Sequence, residues 1–229
     1  MKIKQLSEHV WECSIWTIIP VSVWLVKTET GLTLVDAGVS WMAGGLLRQI
    51  KAMNLPLERI VLTHGHSDHT GSIRKLREHF EVPVYVHEAE IACMEGRQPY
   101  PGRRKAQASV EAGLVQPLAM EQPVGGLVPY WTPGHSPGHT AFYHERDGVL
   151  LAGDLFTTKR GRLHQPMAMF TADMAQAVES GAIVEQLKPE LLSICHGGVV
   201  VRPHEQYEAY KLEWMNSSYN RHRNAGSAK

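Results

Sequence analysis

The chain has 229 residues, 23 Lys and Arg against 23 Asp and Glu, a formal net charge of zero, and 43% hydrophobic residues. That length suits one globular domain, and the balanced charge removes the electrostatic case for nucleic acid or anionic lipid as a partner. Three cysteines, Cys13, Cys93 and Cys195, form no Cys-x-x-Cys pair, so neither a disulfide framework nor a zinc knuckle is supported and a reducing, cytoplasmic setting is expected.

The first apolar run, Ile15 to Val26, is too short to span a bilayer, contains Pro20 and is followed by no small-residue cleavage site, so it reads as folded structure. Val21, Val23 and Leu25 alternate with their neighbours, and Glu29-Thr30-Gly31 turns the chain into Leu32 to Val35, which predicts a hairpin. A helix follows over Ser40 to Met53, a strand at Arg59 to Leu62, a helix over Gly71 to Phe80 and a strand at Val82 to Val86. Gly96 to Gly102 breaks regular structure and is expected to lead into a short helix. The Gly96 to Lys105 stretch is open between a solvated surface loop and a lid.

In the second half, Leu127 to Trp131, Thr140 to His144, Val149 to Ala152 and Leu191 to Cys195 read as strands. Asp173 to Leu187 and Glu205 to Tyr219 read as helices, and Asn220 to Lys229 as a frayed tail. No Gly/Ser-rich or Pro-rich linker divides the chain, so residues 1–229 are expected to form a single domain.

Histidine is the unusual residue, 13 copies against four Phe. His64-Gly65-His66-Ser67-Asp68-His69 puts four potential ligands in six positions directly after an apolar strand. Side chains two apart share a face of an extended chain, so His64 and His66 can converge on one cation, while Asp68 and His69 can reach a second. A helix cap would explain one of these residues and leave the imidazoles unexplained. His135, Asp154 and His196 also follow predicted strands, and strand ends on one sheet edge gather distant residues into one crevice.

The ordered set His-x-His-x-Asp-His at 64–69, Thr-Pro-Gly-His-Ser-Pro-Gly-His at 132–139, Gly153-Asp154 and His196-Gly197-Gly198 resembles the metallo-β-lactamase-fold hydrolases. The N-terminal Leu34-Val35-Asp36-Ala37-Gly38 also looks like that family's opening segment. The resemblance implies an α/β fold, a four-layer αβ/βα sandwich with a dinuclear metal site at one edge. It implies that His64, His66 and His135 hold one divalent ion, that Asp68, His69 and His196 hold the other, and that Asp154 bridges them. Zinc is the expected metal, with iron, manganese or cobalt compatible with the same ligand types. In the family pattern the earlier histidine of the second motif ligates, so His139 is expected to pack or orient rather than bind. Asp36 resembles a buried aspartate beneath the site that orients a ligand imidazole, and a hairpin-end turn residue is the alternative. Cys195 ends an apolar strand, where alternation should turn its sulfur away from the metals. His164 is open between substrate contact and an ordinary loop position.

The chemistry so implied is attack on a carbonyl by a bridging hydroxide, with Asp68 or water handling the proton and Asp68 and Asp154 as the catalytic carboxylates. Expected substrates are small carboxylic esters, thioesters or lactones. β-Lactam hydrolysis, or a weakly catalytic binding or sensor role, are the alternatives. Hydroxyacylglutathione hydrolases usually carry a tyrosine where this chain has Gly198, and acyl-homoserine lactonases one where it has Thr157, so neither narrow assignment is favoured. The expected partner is a small molecule, with no nucleic acid and no membrane, and the oligomeric state is open. Selectivity is expected to come from Ile18-Ile19-Pro20, the Gly96 to Lys105 loop and Phe156 to Met169. There, Ile18, Ile19, Tyr100, Phe156, Met167 and Met169 would supply an apolar wall, while Arg103, Arg104, Lys159, Arg160 and Arg162 would attract a carboxylate.

Overall fold

Period-2 apolar runs in both halves of the chain build two sheets in the computed structural model, which describes residues 1–217. Tyr219, His222 and the tail 220–229 lie outside the described residues.

The first sheet has the order β1-β2-β3-β4-β5-β6-β7, with β1 at Lys2–Gln5, β2 at Val10–Trp16, β3 at Pro20–Lys27 and β4 at Leu32–Val35. These four strands are an antiparallel meander. A 3-10 turn at Ser40–Met42 and helix α1, Ala43–Ala52, then cross over to β5, Leu57–Val61, which pairs parallel to β4. Helices α2, Ser67–Thr70, and α3, Ile73–Arg77, lead to β6, Val84–Val86, and α4, Glu88–Met94, leads to β7, Val115–Pro117, both strands parallel to their predecessors. The helix expected after the Gly96 to Gly102 loop is therefore absent. Pro99, Pro101 and the charged run that follows offer no apolar face, whereas α4, before the loop, buries Glu90, Cys93 and Met94 and is capped by the His87 ring.

The second sheet has the order β14-β13-β10-β9-β8, made of β8 Val128–Trp131, β9 Thr140–His144, β10 Val149–Leu151, β13 Leu191–Ser193 and β14 Val200–Val201. A separate hairpin, β11 Thr157–Lys159 and β12 Arg162–His164, follows β10. The helix expected over Asp173 to Leu187 is broken into α5, Met174–Ser180, and α6, Ile183–Leu187, with Gly181 at the break packed against Tyr207 and Phe156. Helix α7, His204–Asn216, closes the described chain.

Alternation along β10 sets the layers: Val149 and Leu151 join a core with Leu25, Leu34 and Leu46, while Leu150 joins another with Val178, Val184 and Tyr207. Both faces of the strand are covered, giving the αβ/βα sandwich, and each fully buried side chain of this size contributes about 1.5–3 kcal/mol. A polar clip crosses between the sheets: Trp24 Nε1 donates to Ser193 Oγ at 2.8 Å, and Ser193 Oγ donates to Glu12 at 3.1 Å. It fixes the two sheets' facing ends where the candidate site forms. Among the described residues, no helix is long and apolar enough to cross a membrane.

Candidate metal centre

The C-terminal ends of β4, β5, β8, β10 and β13 open onto one edge, and the segments that leave them carry Asp36, His64, His135, Asp154 and His196. All seven residues singled out as ligands meet there, in two adjoining groups. In the first, His66 Nδ1 lies 3.0 Å from His64 Nε2 and 3.1 Å from His135 Nε2. The outer ring nitrogens fix how these imidazoles point. His64 Nδ1 is 3.1 Å from Thr63 Oγ1, which spends its own proton on Asp36, and His135 Nδ1 is 3.2 Å from Thr171 Oγ1, which donates to the Met167 carbonyl. Each Nδ1 is thus the donor, and the Nε2 lone pairs of His64 and His135 converge on the same point. Burial, reinforced by His69, His66 and His135, holds the His64 pKa well below the usual imidazole value, and burial brings His135 down to about 3. Burial also lowers His66. Three neutral imidazoles with ring nitrogens converging within about 3 Å offer a cation more lone pairs than the one His66 proton could satisfy, so the group fits a metal.

In the second group, His196 Nε2 lies 3.1 Å from Asp68 Oδ2 and 3.2 Å from Asp154 Oδ2, while His69 Nε2 lies 3.4 Å from Asp154 Oδ1. His196 is aimed by its Nδ1 donating to the Pro20 carbonyl at 2.8 Å. His69 Nε2 and Asp154 Oδ1 are buried with no hydrogen-bond partner, the state expected of atoms arranged for an ion. Asp154 Oδ2 is also 3.4 Å from His135 Nε2, so one carboxylate touches both groups. Burial opposes charge on all of these residues, yet the mutual pairing wins. Asp154 is held well below the carboxylate range by His196 and His69, Asp68 is pulled down to about 2 by His69 and His196, and His69 and His196 are both raised.

A shell of polar residues holds these ligands in place. Asp36, with a left-handed φ of 59°, is fully buried and accepts from Thr63 N–H, Thr63 Oγ1 and His69 Nδ1, each at 2.8 Å. It therefore sits beneath the site rather than ending a hairpin at the surface. His139 makes none of the converging contacts: its Nε2 accepts from the Asp154 N–H, leaving its Nδ1 to donate toward Thr132. Sequence reasoning missed Glu90, which is fully buried on α4. Its Oε2 accepts from Gly65 N–H at 3.0 Å and Tyr100 Oη at 2.7 Å, and its Oε1 from Ser136 Oγ at 2.7 Å and Gly138 N–H at 2.6 Å. One carboxylate thus ties the loop carrying His64 and His66 to the loop carrying His135. Gly65 leaves room for this approach, since a Cβ there would collide with Met94 and Tyr100.

Cys195 departs from expectation. It is buried, but its sulfur lies within 4.8 Å of ligand atoms of His69, Asp154 and His196. The strand ends at Ser193, and backbone bonds from Cys195 to Gly153 and from Ser22 to Cys195 bend the chain, so alternation no longer governs position 195.

A cavity of about 620 Å³ opens over the two groups, lined by His66, Asp68, Asp154 and His196 together with Ile19, Tyr100, Arg103, Arg104, Lys105, Met167 and Phe170. Several residues expected in its wall are elsewhere. Phe156 is wholly buried in the outer core, Ile18 is 95% exposed, and Met169 lines a neighbouring smaller cavity. Lys159, Arg160, Arg162 and His164 sit on the β11–β12 hairpin and its turn, away from the lining, because that hairpin packs towards α7.

The sequence profile of the metallo-beta-lactamase superfamily matches residues 16–196, a span that includes every residue of both groups. The chain belongs to the metallo-β-lactamase superfamily. Within it, the chain is similar to the probable metallo-hydrolase YybB of Bacillus subtilis (strain 168), 38% identical over 94% of this chain and 100% of that one. A hydroxyacylglutathione hydrolase of Bdellovibrio bacteriovorus is 30% identical over 67% of this chain and 54% of its own length. Among solved metallo-β-lactamase-fold structures, TTHA1623 in a di-iron-bound form superposes with a TM-score of 0.66 at 27% identity, covering 85% of this chain and 96% of that one.

Proposed function

We propose that this metal-dependent hydrolase holds two divalent ions and cleaves small carboxylic esters, thioesters or lactones. The observation that carries the reading is Asp154, whose carboxylate touches His135 of one group and His69 and His196 of the other. In this reading His64, His66 and His135 would hold the first ion and Asp68, His69 and His196 the second, with Asp154 shared between the two groups. Such an ion pair supplies water of lowered pKa and polarises a substrate carbonyl.

The chain's own residues do the rest. Asp36 and Thr63 keep Nε2 of His69 and His64 turned inward, Glu90 sets the spacing of the two histidine-bearing loops, and the buried floor excludes bulk water. Asp68 handles the proton: its side chain is 34% exposed and faces the cavity, whereas Asp154 is 7% exposed. Zinc suits the second position, where the Cys195 sulfur adds a soft neighbour, and the di-iron form of a related structure keeps iron as the competing occupant. The two halves of the chain share one site, which supports a single domain, and three unpaired thiols support a cytoplasmic setting. A small molecule is the proposed partner, since the cavity is confined and the chain carries no net charge.

The reading is tested by assaying a panel of esters, thioesters, lactones and phosphodiesters before and after chelation. Metal-dependent cleavage of carboxylic substrates is expected, and cleavage confined to phosphodiesters would contradict it.

A further inference from the structure

We propose that the substrate carries a negative charge beyond its scissile bond, held by Arg103, Arg104 and Lys105. The inference rests on the hydrolase reading and adds the substrate's charge to it. These three consecutive cations line the same cavity as His66, Asp68, Asp154 and His196. Arg59, Arg97 and Arg202 each pair with a neighbouring acid, at 3.0, 2.7 and 3.2 Å. Arg74, Lys75, Arg77 and Arg146 have no ion pair among the described residues but lie away from the centre, so it is the position of residues 103–105 beside the centre that sets them apart. Among the described residues, none of the three cations at the cavity mouth has an ion pair or a side-chain hydrogen bond. The Arg103 guanidinium instead lies 5.5 Å from the ring centroid of Phe170, on the facing wall, a contact that holds the group without neutralising it.

The segment bearing these cations is fastened at both ends. Tyr100 donates to Glu90, and the Arg103 N–H returns to the Tyr100 carbonyl at 2.9 Å. Ser109 donates from Oγ to the Gly65 carbonyl at 2.9 Å and from its N–H to the Met94 carbonyl at 2.8 Å. Residues 101–108 therefore form a strap pinned to the loop between His64 and His66. Its cations are solvent-exposed, and the two anchors keep the backbone that carries them at the cavity wall. Ile19, Met167 and Phe170 leave an apolar side for the uncharged part of the substrate. Guanidinium groups accept carboxylate and phosphate alike, so the shared chemistry is an oxyanion.

The test uses the full chain with metal bound and acetyl thioesters of four small thiols: 3-mercaptopropionate, 2-mercaptoethyl phosphate, N-acetylcysteamine and thiocholine. The two anionic thioesters should exceed the neutral one in kcat/KM by about 10-fold to 100-fold at low salt, mainly through KM, with thiocholine slowest. The gap should close as ionic strength rises. Which of the two anionic thioesters leads distinguishes carboxylate from phosphate. Replacing Arg103, Arg104 and Lys105 together by Gln should remove the anionic advantage with metal content retained. Equal rates for anionic and neutral thioesters, or a ranking that survives the triple replacement, would overturn the proposal. If no thioester is cleaved, the thioester part of the hydrolase reading fails instead. The charge preference is then read from calorimetric binding of the corresponding S-propyl thioethers, where equal affinities overturn it and an anionic preference abolished by the triple replacement upholds it.

Discussion

The backbone N–H of Asp154 donates to Nε2 of His139 at 3.1 Å. That bond consumes the one nitrogen by which His139 could approach a metal, because Nδ1 faces Thr132 at 2.9 Å. His139, whose pKa burial lowers to about 4, is thereby a neutral bracket that positions the backbone of Asp154. Replacing His135 by Ala should remove a ligand, with a loss of turnover of about 1000-fold, or roughly 4 kcal/mol of transition-state stabilisation. Replacing His139 by Ala should cost only about 10-fold to 100-fold in metal affinity, the range for a residue that orients a ligand. Metal titrations and kcat/KM on both variants check the order. The reverse ranking would mean that the wrong histidine of the motif has been assigned as ligand.

Asp36→Asn should turn His69. The amide keeps the left-handed backbone, which Asn tolerates, but puts an N–H donor or a weaker acceptor opposite Nδ1 of His69. The expected result is a loss of second-ion affinity of about 10-fold to 100-fold, with a smaller loss at the first ion, since Asp36 reaches His64 only through Thr63. Equal weakening of both ions in competition titrations would contradict the role given to Asp36.

Glu90→Gln should loosen the junction between the two histidine-bearing loops. Four donors now meet one carboxylate, two on each oxygen, so whichever oxygen becomes the amide nitrogen leaves two donors without their acceptor, at about 1–3 kcal/mol each. Thermal unfolding should shift downward, and trypsin should cut faster at Arg103, Arg104 and Lys105 as Tyr100 loses its anchor. An unchanged melting temperature with unchanged cleavage would remove Glu90 from the support of the site.

Much of the centre was legible because its ligands sit in short runs at strand ends. His64, His66, Asp68 and His69 are local, and His135, Asp154 and His196 each follow an apolar strand that marks the same edge. What escaped reading depends on contacts between distant segments. Glu88 and Glu90 look alike in sequence, and only packing of α4 against the Gly65 and Ser136 loops decides which is buried. Cys195 lies beyond the end of its strand, so its side-chain direction is set by Ser22 and Gly153 rather than by alternation. β1 exposes all four residues, leaving no hydrophobic pattern to betray it. The β11–β12 hairpin carries Arg160 and Arg162 away from the cavity, a direction no local spacing encodes.

Proton release should separate the two ions. Burial keeps His64, His66 and His135 neutral, so loading the first group should release almost no protons near pH 7. Burial disfavours charge on His69 and His196 as well. At His69, Cys195 followed by Asp36, Asp154 and Asp68 outweighs it, and at His196 Asp154 followed by Cys195 does, so both pKa values are raised. Loading the second group should therefore release more protons than loading the first, and its affinity should rise more steeply with pH. Calorimetry in buffers of differing ionisation enthalpy measures this directly. Equal proton release for both ions would contradict the assignment.

The dinuclear centre itself is tested most directly by elemental analysis of the chain purified without chelator, with turnover measured on the same samples. The expected result is about two divalent ions per chain, removed together with activity by a chelator and restored together on readdition, and about one ion or fewer in Asp154→Ala. A fully active chain holding no more than trace metal, or Asp154→Ala retaining both ions and near-normal turnover, would contradict it.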